Sequence, residues 1–197
     1  MASQLLLLAF LAITSSIALA SDPSSLQDFC VADPKTSILV NGVVCKDSKL
    51  VDANDFFFSG LHLAGNTSNA VGSCVTPVNV AQIAGLNTLS ISIARIDYAP
   101  WGINPPHTHP RASKILTVLS KWVLSPPTLK TATSPRCFRR NVGYGNAVAI
   151  AALSSQNPGV ITIANAVFGS KPAISTDIVA KAFQVDKNAV YNFQSKF

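Results

Sequence analysis

An all-β core followed by a short helical tail is the fold class predicted by this 197-residue chain, and three observations predict it. Short β-branched or apolar runs, some strictly alternating, recur between Leu89 and Val167. Proline- and glycine-bearing turn signals separate them. After Ser175 the apolar spacing lengthens to the period of a helix. At 48% hydrophobic and 12% charged, the composition excludes a disordered or fibrous protein, and the length suits one domain.

The first element is an export signal. Residues 1–20 carry no charged side chain, Leu5 to Ala12 form an apolar run, and Ala18-Leu19-Ala20 has the small-x-small form that signal peptidase cuts. A membrane span needs roughly 20 mostly apolar residues, and Thr14, Ser15 and Ser16 interrupt this one too early. The mature chain has no other run able to span a bilayer, so a secreted, soluble protein is expected. Residues 21–60 read as an N-terminal extension. Export implies an oxidising compartment, where disulfides are the default. Cys30 and Cys45 are the near pair of the four cysteines and flank the turn-like Asp33-Pro34 and Asn41-Gly42. A bridge closing such a loop contributes about 3 kcal/mol by chain-entropy reasoning. Cys74 and Cys137 pair with each other, stay free or bridge to another chain, and the spacing leaves all three open. Asn66-Thr67-Ser68 is a glycosylation sequon in a Gly/Asn/Ser-rich loop, where a glycan on Asn66 would be accessible.

Leu89 to Ile93 alternates as a half-buried strand should. Ile115 to Leu119, Ala147 to Leu153 and Val160 to Val167 are the further strand candidates. Pro105-Pro106, Pro126-Pro127 and Asn157-Pro158-Gly159 mark turns between them. Ser175, Thr176 or Asp177 caps a helix on which Ile178/Ala182 and Val179/Phe183 share a face. Asp186 caps a second, with Ala189 and Phe193 at matching spacing.

All nine acids are aspartates, so any mechanism that needs a glutamate is excluded. The net charge is +6, no acid occurs from Tyr98 to Thr176, and Arg111 to Arg140 supplies seven basic residues. Such a field suits acidic cell-wall polysaccharide or a membrane surface. The bland alternative is that the stretch is basic by accident. No aromatic interleaving points to nucleic acid. His107-Thr108-His109 places two imidazoles on one side of a strand, where both can reach one metal ion. Taken alone, such a pair beside a proline-rich turn is more often simply solvated. His62 stands apart as an ordinary histidine.

The surroundings shift that balance. Gly102-Ile103-Asn104-Pro105-Pro106-His107-Thr108-His109-Pro110-Arg111-Ala112 closely resembles the first box of the germin-like proteins, a plant branch of the cupin superfamily. Asn66 to Ala99, Asn141 to Gly159 and Ile161 to Lys187 are similar to the segments around it, and the Cys30/Cys45 spacing to the family's N-terminal disulfide. The resemblance implies a cupin jelly-roll β-barrel over residues 61–170 and a helical tail over 171–197. It also implies secretion to the apoplast and assembly into homo-oligomers, hexamers in the family. Members hold manganese with three histidines and one glutamate, and some show oxalate oxidase or superoxide dismutase activity.

Carried over position by position, His107 and His109 match the first two ligands. The glutamate falls on Lys114, and no residue here matches the third histidine. Residues 120–140 depart from the pattern altogether. They hold no histidine and no acid, Lys121 replaces a glycine, and Lys130, Arg136, Arg139 and Arg140 crowd the remainder. The second box therefore reads as deleted or replaced, and the barrel as incomplete. The expected function is a secreted, defence-related germin-like protein without oxalate oxidase activity. His107 and His109 remain as residual ligands that hold manganese weakly or not at all. The alternatives are a manganese oxidoreductase of superoxide dismutase or oxalate oxidase type, and a defective truncated product with open sheet edges.

Overall fold

The computed structural model describes residues 30–35, 43–119, 124–125 and 137–197. The export signal, Asn41-Gly42, Pro126-Pro127 and most of the 120–140 stretch lie outside the described residues. The strands are β1 (Ser73–Val78), β2 (Ser92–Tyr98), β3 (Ile103–Thr108), β4 (Lys114–Val118), β5 (Leu124–Ser125), β6 (Cys137–Asn141), β7 (Ala147–Leu153) and β8 (Ile161–Thr162). Three helices follow: α1 (Ile163–Phe168), α2 (Thr176–Phe183) and α3 (Lys187–Gln194). Among the described residues the strands form two four-stranded antiparallel sheets, in the orders β1-β2-β7-β4 and β5-β6-β3-β8. This is the expected jelly roll, with sheets that do not close on each other.

Strand β7 shows why the first sheet forms. Its residues are all apolar and successive side chains point to opposite faces, so Ala147, Ala149, Ala151 and Leu153 are buried on one face. Ala94, Ile96 and Tyr98 of β2 join them in the core, with Ala112 and Leu116 packed against the cluster. On the opposite face of β2, Arg95 and Asp97 form an ion pair at 2.7 Å. Arg95 Nη1 also donates to the Leu61 carbonyl at 2.8 Å, and the Gly65 N–H donates to Asp97 Oδ2 at 3.0 Å. The segment entering the barrel is thereby strapped across the sheet's outer face.

The expected disulfide joins Cys30 to Cys45, whose Cα atoms are 5.0 Å apart. Asn87, fully buried, ties this module to the sheets. Its amide donates to the Val43 carbonyl at 2.7 Å and to Cys30 Sγ at 3.2 Å, and its oxygen accepts from Gln156 Nε2 at 3.1 Å. Cys74 carries a free, half-buried thiol. Cys137 is the first residue of β6.

Three expectations shift in detail. The strand expected at Leu89 begins at Ser92 and runs on to Tyr98, since Leu89 and Ile91 lie exposed before it. The run expected as a strand over Val160 to Val167 pairs with β3 only through Ile161 and Thr162 and then becomes α1. Val167 and Phe168 pack there against Val179, Ala180 and Val190 of the tail, so burial against helices overrides their β preference. Pro105-Pro106, read as a turn, lies inside β3 where its register with β6 breaks between Asn104 and His107. A break in register tolerates residues without an N–H. The tail is as expected: Ser175 is the N-cap of α2, and the Asp186 side chain accepts from the Asn188 N–H at the start of α3.

Removing Asn87's side chain strands partners in a buried setting. Asn87→Ala should destabilise the fold by about 2 kcal/mol, the scale for unsatisfied buried polar groups. Denaturant unfolding with the disulfide intact checks this.

Candidate functional site

Two strands from opposite sheets build the site. The register break in β3 pairs Asn104 with Arg139 and His107 with Cys137. One extra residue on the β3 side therefore puts Asn104 and His107 on the same face. The chain then turns through Pro110 and Arg111 and enters the first sheet at Lys114. Arg111 holds this turn: its Nε donates to the Asn157 carbonyl at 2.7 Å and its Nη2 to Asn157 Oδ1 at 3.1 Å. Gly159, at φ +64°, fits beneath that guanidinium, where an added Cβ would come within 2.9 Å of it. Lys114 stands directly opposite the buried Leu153 of β7. Residues directly opposite share a face of the sheet, so Lys114 points inward toward His107.

The two rings meet edge to face with centroids 5.0 Å apart. His109 lies just beyond the end of β3 rather than within it, so the turn, not strand parity alone, brings the imidazoles together. His107 Nδ1 donates to the Pro105 carbonyl and His109 Nδ1 to the Gly159 carbonyl, both at 2.7 Å. A carbonyl can only accept, so each ring carries its proton on Nδ1 and turns the Nε2 lone pair outward. Lys114 Nζ donates to His107 Nε2 at 3.3 Å. An ammonium thus takes the lone pair that a metal ion would use.

Electrostatics follow from that placement. Burial, then the positive charge of Lys114 and the neighbouring His109, push the His107 imidazole down to about 4 despite the Pro105 bond. Burial first and Lys114 second also lower His109. Deeper between the sheets, burial raises the fully buried Tyr98 phenol to about 12. Its hydroxyl has no hydrogen-bond partner of good geometry among the described residues.

The structure brings together His107, His109 and Lys114, the three positions that sequence comparison singled out. His62 is exposed, and Asn66 is exposed with its side-chain oxygen accepting from the Ser68 N–H at 2.9 Å. Among the described residues no group of three or more His, Cys, Asp or Glu side chains is placed to hold a metal ion. Sequence reasoning missed the Pro105 and Gly159 carbonyls that fix both ring tautomers. Backbone acceptors leave no signature in side-chain identity, although the φ-positive glycine after Asn157-Pro158 marks where one of them lies.

The Cupin family profile matches residues 59–120 and 137–191. Germin-like protein 2-1 of Oryza sativa subsp. japonica is 59% identical over 209 residues, covering 97% of this chain and 97% of its own. Germin-like protein subfamily 1 member 7 of Arabidopsis thaliana is 52% identical over 207 residues, covering 95% and 90%. Among solved structures, an oxalate oxidase in complex with the substrate analogue glycolate superposes with a TM-score of 0.78 at 38% identity, covering 90% of this chain and 98% of that one.

The depressed imidazole makes the fold acid-sensitive. Above about pH 6.5 both folded and unfolded His107 are neutral. Between there and about 4 the unfolded chain binds a proton that the folded chain refuses. Stability should therefore fall on acidification across that window, by on the order of 3 kcal/mol when complete. Denaturant midpoints taken from pH 7.5 down to 4 should decline steadily, and a flat series would contradict the assignment.

Proposed function

This chain belongs to the cupin family and, within it, to the germin-like proteins, and from that premise we propose that it is a secreted protein of the plant apoplast whose manganese site is degenerate and which lacks oxalate oxidase activity. The observation that carries the reading is the Lys114 ammonium 3.3 Å from His107 Nε2. Manganese(II) favours oxygen donors, carboxylate chief among them. Here the position that the resemblance gives to the ligand glutamate presents a positive charge instead. The donor set is two imidazoles, one already accepting from that ammonium, and it does not fit the ion.

Several features support the rest of the reading. The uncharged 1–20 segment with its Ala18-Leu19-Ala20 end, the Cys30–Cys45 bridge and the exposed Asn66 sequon suit an exported glycoprotein. Among the described residues no helix is long and apolar enough to cross a membrane. The kinship with relatives named germin-like supports an oligomer and a defence role only at the level of family. The similarity to oxalate oxidase keeps a manganese oxidoreductase as the competing reading, and the same measurement separates the two. The domain division proposed is an export signal over 1–20, an extension over 21–60, a barrel over 61–170 disrupted at 120–140, and a tail over 171–197.

Metal content is the test. Lys114→Glu returns one carboxylate and removes one positive charge, yet supplies only three of the four ligands that the family uses. Protein purified from a plant secretory host, wild type or Lys114→Glu, should hold well under one manganese per chain by elemental analysis. A value near one in the wild-type protein, with oxalate oxidase or dismutase activity to match, would overturn the reading. The same secreted material should shift in gel mobility on glycosidase treatment and lose that shift in Asn66→Gln.

A further inference from the structure

Away from the histidines, the Ala99–Gly102 turn and the loop after β6 carry two exposed aromatic rings. Trp101 is 47% exposed and Tyr144 82%. Their centroids lie 5.8 Å apart with the rings at 90°, forming a corner. The Arg140 guanidinium sits over the Trp101 ring, 5.2 Å from its centroid. Trp101 holds φ at +62°, a region that bulky side chains rarely adopt. Packing does not repay that conformation, because nearly half of the side chain faces solvent.

The corner is braced from below. Asn141 is fully buried, and its amide donates to the Ala99 carbonyl at 2.9 Å and the Gly145 carbonyl at 2.7 Å. Its oxygen accepts from the Gly143 N–H at 2.9 Å. A single side chain therefore fixes both the turn bearing Trp101 and the loop bearing Tyr144. The Gly102 N–H donates back to the Ala99 carbonyl at 3.0 Å and closes the turn. Two aromatic surfaces with a cation beside them are set before any ligand arrives, which lowers the entropic cost of binding.

We propose that Trp101, Tyr144 and Arg140 form a docking platform for an acidic polysaccharide, one built of uronate sugars. A pyranose ring has an apolar C–H face that stacks on an aromatic surface, and a uronate adds a carboxylate that a guanidinium binds. The sign of the charge is complementary. The chain carries +6, and no acidic residue occurs between Tyr98 and Thr176, the stretch that contains the whole platform. The proposal rests on the reading that the chain is exported to the cell wall. It does not depend on the metal content of the barrel.

Affinity gel electrophoresis and titration calorimetry of the purified full-length secreted protein test it, in chelator and at physiological ionic strength. The probes are polygalacturonate, neutral xyloglucan, dextran sulfate, single-stranded DNA and anionic lipid vesicles. Polygalacturonate should bind, and xyloglucan should not. Trp101→Gly, which suits the left-handed backbone, and Arg140→Gln should each weaken binding about tenfold, the scale of an aromatic or arginine anchor. Tyr144→Ala, at the most exposed position, should weaken it severalfold with thermal unfolding unchanged. Absence of polygalacturonate binding by the folded protein would overturn the proposal. So would aromatic variants that bind as the wild type does, or dextran sulfate, DNA or vesicles bound as tightly as polygalacturonate. Because chelator is present throughout, failure here leaves the degenerate-site reading standing, and a manganese-replete protein would leave this one standing.

Discussion

The antiparallel pairing of β7 on both of its edges is the constraint from which the rest of the architecture follows. Seven residues, Ala147 to Leu153, register with β2 along one edge, from Ser92 opposite Leu153 to Tyr98 opposite Ala147. Along the other edge they register with β4, from Lys114 to Val118. A one-residue slip would turn every inward side chain outward, and the buried alanines leave no tolerance for it. Through β2 the pairing fixes β1, the Arg95–Asp97 strap and the disulfide module that Asn87 anchors. Through β4 it fixes the inward direction of Lys114. The chemistry of the site is thus decided by the register of β4 on its neighbour β7.

That register turns one exchanged side chain into a change of character. A glutamate at the inward position would draw a cation toward the two Nε2 lone pairs. The ammonium found there is itself the cation, and it is tethered to the fold. It satisfies His107 Nε2 and, with burial, keeps both imidazoles neutral. Both ring nitrogens of His107 are therefore satisfied without an ion, which is how its burial remains tolerable. In this structure the lysine ammonium occupies the space in front of His107 Nε2.

Much of this was legible in the sequence because it rests on local composition and spacing. Ala147 to Leu153, an unbroken apolar run, forms the strand it predicts, and Asp186 caps the helix it predicts. The disulfide was legible from proximity and export. What escaped reading depended on tertiary context. Val160 to Val167 carries a strand's composition, yet most of it is helical, and its C-terminal end, Val167 with Phe168, packs against α2 and α3. Pro105-Pro106 reads as a turn, yet lies in a strand because a bulge excuses its missing N–H groups. That bulge also puts Asn104 and His107 on one face, which no spacing rule applied to H-x-H would reveal. The Trp101–Tyr144 corner is illegible for a similar reason: its two rings are 43 residues apart in the chain, and the β3–β6 pairing and the hydrogen bonds of Asn141 bring their loops together.

The first sheet lies wholly within the segments that the family profile matches. Every strand of the first sheet, and every pairing that β7 makes, lies in residues 73–118 or 147–153. These fall outside 121–136, the residues between the two segments that the family profile matches. The second sheet borders those residues, since β6 begins at Cys137 and pairs with Leu124 and Ser125 of β5. The site therefore draws His107 from the sheet that adjoins the unmatched stretch and Lys114 from the sheet that lies clear of it. A point change at position 114 can reverse the charge that faces His107, but it leaves the opposing sheet, and whatever side chains that sheet can offer, as they are.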